Sequence, residues 1–441
     1  MRSSIPKVLH PLAGRPLIDY PLALVQRLGV QKKIVVIGHA GQAVKRAVGK
    51  TKGLTFVTQH QQKGTAHAVG MTQKVLRNFE GDLLILYGDV PLLRESTLRR
   101  LIATYKKEEA ALGLLTAFVE NPTGYGRILR ARNGFVRGIV EEKEATPEEK
   151  GIREINTGVM IVEAGSLFEA LRQIQKSRVT QEFYLTDLVR HFVSEGLKVA
   201  AVPAGEEEAW GVNNPMELAR AEGVLRQRIV EGWINRGVRF IDPERSTLDE
   251  EVVIGEGTEV APNCTLLGKT RVGRSVRIET GVVLRSAVIG DHVHLKPYTV
   301  VTESRIASGA VIGPFAHIRP GSVIGEKAHI GNFVETKKTV IGKGSKANHL
   351  TYLGDAVIGR DVNVGAGTIT CNYDGFAKHK TILADGVFVG SDTQFVAPVK
   401  IGKGGWIGAG TTVTKNVPAG SLAISRVEQN NILNWKKKRK K

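Results

Sequence analysis

A six-residue periodicity takes hold of this chain near Ile254 and runs to about Val413. It reads as an aliphatic residue, often Gly, two variable residues, then a small or β-branched one, as in Ile312-Gly-Pro-Phe-Ala-His, Ile318-Arg-Pro-Gly-Ser-Val, Ile324-Gly-Glu-Lys-Ala-His and Ile330-Gly-Asn-Phe-Val-Glu. The step returns at Phe395, Ile401, Ile407 and Val413. One inward aliphatic per short, fixed repeat predicts a parallel β-helix, in which each coil covers the apolar residues of its neighbours. The adjacent glycines are expected to permit tight corners. Such a prism serves as readily for a spacer as for a catalyst, so function has to come from residues that break the pattern.

The change from mixed sequence to repeat near residue 250, in a chain of 441 residues, predicts two domains with separate cores. Two cysteines, Cys264 and Cys371, lie far apart and show no Cys-x-x-Cys or Cys/His spacing, which argues against a disulfide framework and a cysteine-bound zinc. A reducing cytoplasm fits. No apolar run approaches the roughly 20 residues that span a bilayer, and no signal-peptide core follows Met1. The net charge is +19, of which the run Lys436 to Lys441 supplies six; that run reads as a disordered tail. Basic excess points to nucleic acid, anionic membrane or phosphorylated small molecules. With aromatics at 6% and no interleaving of aromatic and basic residues, small phosphorylated ligands are favoured over nucleic acid.

Residues 1 to about 212 alternate apolar runs (33–38, 54–59, 82–89, 111–119) with candidate helices near 17–28, 40–48, 65–77 and 95–107, the rhythm of a mostly parallel α/β sheet. Asn133-Gly134, between Arg127-Ile-Leu-Arg and Phe135-Val-Arg-Gly-Ile-Val, predicts a tight hairpin within it. Ligands of open α/β sheets sit at the carboxyl ends of strands. Tyr87-Gly88-Asp89 lies at such an end, Gln59 ends another strand, and Gly64-Thr65 opens a helix whose free N–H groups can hold an anion or a base edge. Pro122-Thr-Gly-Tyr-Gly126, Ile139-Val-Glu141, Glu154-Ile-Asn156-Thr-Gly and Gly211-Val-Asn213-Asn each set a polar residue beside glycine or at a strand end. Singly, each is a turn.

Together, in this order, these pieces closely resemble the nucleotidyltransferase half of the bacterial bifunctional N-acetylglucosamine-1-phosphate uridyltransferase / glucosamine-1-phosphate acetyltransferase family, and the resemblance runs from Pro6-Lys7-Val-Leu-His to Ile424-Ser-Arg426. It implies a Rossmann-like nucleotidyltransferase domain (1–213), a helical linker (214–236), a left-handed β-helix acetyltransferase domain (237–427) and a basic tail (428–441). By motif, Lys7 would meet the phosphates of UTP, Gln59 with Gly64 and Thr65 the uracil, and Asp89 with Asn213 a catalytic Mg²⁺. Tyr87 and Gly88 would line the same site, and Gly126, Glu141 and Asn156 would hold the acetylated sugar. One carboxylate and one amide suffice for Mg²⁺, which takes oxygen ligands and keeps waters. In-line attack of N-acetylglucosamine 1-phosphate on the α-phosphorus of UTP needs only positioning and charge neutralisation.

The family opens with an apolar strand and the turn Leu-Ala-Ala-Gly-x-Gly-Thr-Arg-Met, whose backbone cradles the triphosphate; here Met1-Arg2 stands at the end of that motif. Without the strand, two neighbours in the sheet are expected to lack a hydrogen-bonding partner. An internal Met taken as the start codon is the simpler explanation, a degenerate first domain the other.

Asn214-Pro215 with Leu218, Ala221, Leu225 and Ile229 predicts an amphipathic connecting helix. In the repeat, the step slips around Thr336–Ile341, and Cys371-Asn372-Tyr373-Asp374-Gly375-Phe376-Ala377-Lys378-His379-Lys380 reads as an insertion before the period resumes at Val389. Loops thrown out of a solenoid commonly carry its function. Arg319, Glu335, Lys337, His349 and Tyr352 lie on nearby coils. The motifs Val334-Glu335-Thr-Lys337, His349-Leu-Thr-Tyr352, Asn363-Val-Gly-Ala366 and Cys371-Asn372-Tyr373 are those of the family's acetyltransferase site.

The resemblance implies His349 as general base on the amine of glucosamine 1-phosphate, with Glu335 orienting the imidazole. Arg319 and Lys337 would pair with the sugar phosphate, and Tyr352, Asn363, Asn372 and Tyr373 would line the sugar site. Ala366, Ser391, Ala409 and Arg426 would meet acetyl-CoA, and the enzyme would be a homotrimer supplying a cell-wall precursor, UDP-N-acetylglucosamine. Two other readings stay open: an acetyltransferase with an inactive first domain, and a basic β-helical binding module acting through Lys436–Lys441.

Overall fold

The computed structural model describes the chain except for residues 2, 50, 52, 434 and 436–441, so the basic run at the end lies outside the described residues. The chain divides into two compact units, Met1–Leu225 and Arg226–Lys441.

In the first unit β1 (Lys33–Ile37) pairs in parallel with β2 (Leu54–Thr58). A second sheet holds β3 (Asp82–Ile85), β4 (Leu112–Phe118), β5 (Arg127–Arg130), β6 (Val136–Val140), β7 (Glu154–Glu163) and β8 (Val199–Ala204), in the order β8-β4-β7-β5-β6, with β3 also on β7. This sheet is mixed, against the expectation of a mostly parallel one. Only β4 and β8 run parallel; β7 is antiparallel to β3, β4 and β5. The cause is the predicted hairpin: β5 and β6 fold back through Gly134 at φ +84, and β7 follows that excursion and enters the sheet reversed.

Side chains of β4 and β7 alternate between two cores. Leu112, Leu114, Met160 and Val162 pack with α5 (Ala164–Leu171) and α6 (Asp187–Ser194), whereas Leu115, Val159 and Ile161 pack with α4 (Glu95–Lys107). Other helices of this unit include α1 (Asp19–Arg27), α2 (Gly41–Val48) and α3 (Thr65–Gly70), the last shorter than the predicted 65–77. Among the described residues β1 and β3 each have one partner strand.

Helix α7 (Pro215–Ile234) runs from one unit into the other. Leu218, Ala221 and Leu225 pack in the first unit with Leu12, Leu17 and Val212, while Ile229, Val230 and Trp233 pack on the second unit's core.

The second unit is a parallel β-helix. Its coils stack in register, Val253 on Arg271, then Val288, Arg305, Val323, Val340 and Val357, and the next residue of each rung (Ile254, Val272, Ile289, Ile306, Ile324, Ile341, Ile358) is buried. This column makes one continuous core; truncating a member such as Ile324 to Ala should cost roughly 2–5 kcal/mol. Most coils advance by 17 or 18 residues, so the slip at Thr336–Ile341 is the ordinary 17-residue coil, met also at Arg271↔Val288 and Val288↔Arg305. The insertion is real, since Ala356 stacks on Thr381, 25 residues on. The ladder nevertheless resumes at Thr381, earlier than the expected Val389, because Thr381–Leu383 already pairs with Ala356–Ile358.

Gly313, after buried Ile312, turns a corner at φ +94 as expected, but most of the glycines after the buried aliphatics serve a different purpose. A Cβ on Gly255 would lie 2.5 Å from the carbonyl carbon of Gly273, and one on Gly342 would lie 2.2 Å from Gly359 O. They allow one coil to approach the next; the left-handed corner positions fall elsewhere and include Ser275, His292, Lys327 and Asp361.

Candidate active sites

In the first unit Lys7, Asp89 and Asn213 converge. The Lys7 ammonium donates to Asp89 Oδ2 at 2.5 Å and to Asn213 Oδ1 at 2.8 Å. Asp89 follows β3, and its carbonyl accepts from Val212 N at 2.9 Å, while Asn213 N donates to Glu217 at the start of α7 at 2.6 Å. Strand end and helix start thus aim one carboxylate and one amide oxygen at a single point. That donor set suits a hard divalent cation that retains waters.

Around this point stand the other expected residues. The Tyr87 ring fills the space where Gly158, at φ +82, has no side chain; a Cβ there would lie 2.2 Å from the ring. Burial, then the charges of Glu141 and Asp89, push the Tyr87 hydroxyl up to about 12, so it remains a protonated donor. Glu141 accepts from Thr186 Oγ1 at 2.8 Å, and burial raises its carboxyl above the usual range. Gly126 lies beside Glu141 in close quarters: a Cβ would come within 3.0 Å of Ile139 Cγ2 and 3.4 Å of Glu141 Oε2. Its carbonyl accepts from Asn156 N, and Asn156 Oδ1 accepts from Gly158 N. Gly88 packs against Val8.

Gln59 donates to Gly64 O at 3.2 Å and shares a hydrogen bond with His67 Nδ1 at 2.9 Å. The anion cradle expected at Gly64-Thr65 is partly used up: Ala66 N donates to Phe183 O, and Thr65 Oγ1 accepts from Leu185 N. Sequence reading missed His67 and Thr186, which hold Gln59 and Glu141; their signal, a polar residue one turn into a helix or just before one, is too common to single out.

In the second unit two strands are far longer than the usual two- or three-residue rungs. β9 (His329–Lys337) and β10 (Lys346–Gly354) pair from His329↔Lys346 to Lys337↔Gly354, bending together around a corner. This doubling brings Glu335 opposite Tyr352 and Asn332 opposite His349. Arg319, from the preceding coil, donates to Glu335 Oε1 at 2.5 Å. Glu335 was expected to orient His349; instead its carboxylate is taken by Arg319, because the register sets Glu335 beside the coil end that carries the guanidinium. Among the described residues no hydrogen bond joins Glu335 to His349, whose side chain is exposed.

The inserted loop supplies the rest. Asn372 Nδ2 donates to Asp355 Oδ2 at 2.6 Å, and a Cβ on Gly354 would lie 2.4 Å from Tyr352 Oη and 2.9 Å from Asn372 Nδ2, so Tyr352 and Asn372 meet over that glycine. Tyr373 is exposed, its hydroxyl donating to Gly375 O. Lys378, missed by sequence reading, lies close enough to Lys337 that it, and then Arg319, depress the Lys337 ammonium below its usual range. Of these three cations Arg319 is the one paired with Glu335. On the next face His329 is lowered by burial and by Lys296, Lys346 and His349. Asn363 stacks between Lys346 and Phe388. Ala366, Ser391 and Ala409 form one corner on successive coils: Asp392 N donates to Ala366 O, Gly410 N to Ser391 O, and Gly390 approaches Ala409 N where a Cβ would lie at 2.5 Å. Arg426 is exposed beyond the last rung.

The nucleotidyl transferase family model matches residues 2–213, and the GMPPB C-terminal domain model matches 244–332. The bifunctional protein GlmU of Pelobacter propionicus is 48% identical over 442 residues, covering 100% of this chain and 96% of that protein. GlmU of Syntrophotalea carbinolica is 50% identical, covering 99% and 94%. The chain belongs to the bifunctional GlmU family. It is accordingly a bifunctional transferase, with a uridyltransferase and an acetyltransferase role. A solved UDP-glucose pyrophosphorylase complexed with UDP-glucose aligns with 51% of this chain and 91% of its own at a TM-score of 0.42 and 17% identity. Among the described residues no helix is long and apolar enough to cross a membrane.

Proposed function

We propose that the β-helix site transfers the acetyl group of acetyl-CoA to the amine of glucosamine 1-phosphate, and that the first unit then joins N-acetylglucosamine 1-phosphate to the uridylyl group of UTP, releasing pyrophosphate. The observation that carries this reading is the placing of Arg319, Lys337 and Lys378 in one cluster beside Tyr352 and Asn372. A surplus of cations beside polar side chains matches a sugar phosphate. His349, exposed one coil from this cluster, takes the proton as the amine nitrogen attacks the thioester carbonyl and the thiolate of coenzyme A departs. Arg319, held by Glu335, and the two lysines fix the phosphate, and Asn363 and Tyr373 border the sugar. The stacked corner of Ala366, Ser391 and Ala409 offers backbone to the pantetheine arm, with Arg426 beyond it.

In the first unit Gln59, Gly64 and Thr65 hold the uracil, and Glu141 with Asn156 and Gly126 holds the acetylated sugar. Tyr87 donates from a hydroxyl that stays protonated, and Lys7 meets phosphate. Asp89 and Asn213 would hold Mg²⁺, which when bound supplies charge neutralisation at the phosphate oxygens. The protein works as a cytoplasmic homotrimer. The test is product analysis by mass spectrometry after incubation with acetyl-CoA, glucosamine 1-phosphate and UTP, singly and together. Release of coenzyme A that does not depend on the sugar phosphate would overturn the acetyl-transfer reading; UDP-sugar formation that ignores Asp89→Asn would overturn the nucleotide site.

A further inference from the structure

We infer that Lys7 occupies the cation position of the nucleotide-free enzyme, and that it holds a divalent cation off Asp89 and Asn213 until a polyphosphate draws the lysine away. The inference rests on the reading of Asp89 and Asn213 as metal donors, and it adds an order of events that reading does not contain.

One ammonium makes both contacts, 2.5 Å to Asp89 Oδ2 and 2.8 Å to Asn213 Oδ1. The oxygens that would face a dication therefore face a monocation. The two acceptors are fixed by backbone: Asp89 O takes Val212 N, and Asn213 N is tied to Glu217. The lysine is the adjustable partner, at the end of a four-carbon stem, with its side chain 38% exposed against 19% for Asp89. Asp89 carries a single negative charge. An ammonium and a divalent cation both within contact distance of it would leave excess positive charge at close range in a partly desolvated site, so one excludes the other. Displacing the ammonium into water forfeits a charge-assisted contact, which lowers cation affinity by about fivefold, and residual repulsion brings the total to about tenfold. A triphosphate removes the conflict, because it offers Lys7 new acceptors. Nucleotide and cation then bind with positive coupling, each strengthening the other to the same degree.

The experiment measures Mn²⁺ binding to the full chain without nucleotide, by the electron paramagnetic resonance signal of the free ion, in the wild type, Lys7→Met, Lys7→Gln and the double variant Lys7→Met/Asp89→Asn. Circular dichroism melts establish that each is folded. Both single variants are expected to bind Mn²⁺ about tenfold more tightly than the wild type, the glutamine supplying a neutral, easily displaced donor if the methionine disturbs folding. The double variant should lose that gain. A second series with a non-hydrolysable UTP analogue should strengthen Mn²⁺ binding in the wild type more than in Lys7→Met. Equal or weaker Mn²⁺ binding by both single variants, with the double variant weaker still, overturns the role given to Lys7 and leaves the metal donors standing. A gain that survives Asp89→Asn overturns the metal donors themselves, and this inference with them.

Discussion

Arg319 and Glu335 form an ion pair across adjacent coils, Nη1 to Oε1 at 2.5 Å, beside Lys337 and Lys378, the cluster proposed to receive the sugar phosphate. The carboxylate therefore tempers the very guanidinium that would grip the substrate. Neutralising it by Glu335→Gln should leave Arg319 with more charge to offer a phosphate. KM for glucosamine 1-phosphate should fall or hold steady, while any loss appears in kcat as Arg319 loses its fixed orientation. Steady-state acetyl transfer at several sugar-phosphate concentrations separates the two. A large rise in KM with unchanged kcat would contradict this account.

His349→Ala should lower the acetyl-transfer rate ~10²–10⁴-fold, the usual consequence of losing a positioned general base. The exposed imidazole lies outside the buried aliphatic column, so the melting behaviour should be unchanged. Thiol release from acetyl-CoA is the assay. Near-wild-type rates in a folded variant would remove His349 from the mechanism.

Lys378→Ala should raise KM for glucosamine 1-phosphate about threefold to tenfold, as expected for one partly exposed charge on a phosphate, and should leave kcat nearly unaltered. The salt dependence of KM should flatten, since one of the three cations is gone. No effect on KM would place the inserted loop outside the phosphate site.

Much of this was legible because the sequence marks burial and spacing strongly. The aliphatic column of the β-helix follows from its period, and Lys7, Asp89 and Asn213 were singled out from motifs more than 80 residues apart that the fold does bring together. Direction and partnership were not legible. The run Glu154–Glu163 is buried on both faces, so nothing in its pattern distinguishes the antiparallel strand observed from the parallel one expected. Glu335 found Arg319 rather than His349 because a one-residue difference in coil length decides which side chains share a rung, and that register is set by the stack as a whole. The glycines beside the aliphatics were read in general as corners, yet Gly273 admits Gly290 and Asp291 of the next coil, a contact between residues distant in sequence.

Asp89→Asn should depress UTP-dependent activity and leave acetyl transfer intact. It removes the one carboxylate aimed at the proposed cation position, and the two reactions draw on units with separate cores. Both assays are run on the same preparation. Parallel loss of the two activities in a folded variant would argue against two independent sites.

Glu141→Gln should stabilise the first unit at neutral pH while impairing it as an enzyme. Burial raises the Glu141 carboxyl above its ordinary value of 4.5, with the Thr186 hydroxyl opposing in part. A raised acid binds its proton more tightly folded than unfolded, so the stability it contributes is complete at low pH and is lost as the pH rises through the folded value. At pH 7 the ionised carboxylate is therefore a cost to folding that the neutral amide lacks, and the amide oxygen can still accept from Thr186. Thermal unfolding scanned from pH 4 to pH 8 should show the variant melting about 1–3 °C above the wild type at the upper end, with the two curves merging toward pH 4. Loss of N-acetylglucosamine 1-phosphate turnover should accompany the gain, since removing the charge also removes the acceptor that the sugar would meet beside Gly126. A wild type that is the more stable protein at pH 8 would falsify the claim that burial of Glu141 is a strain kept for binding.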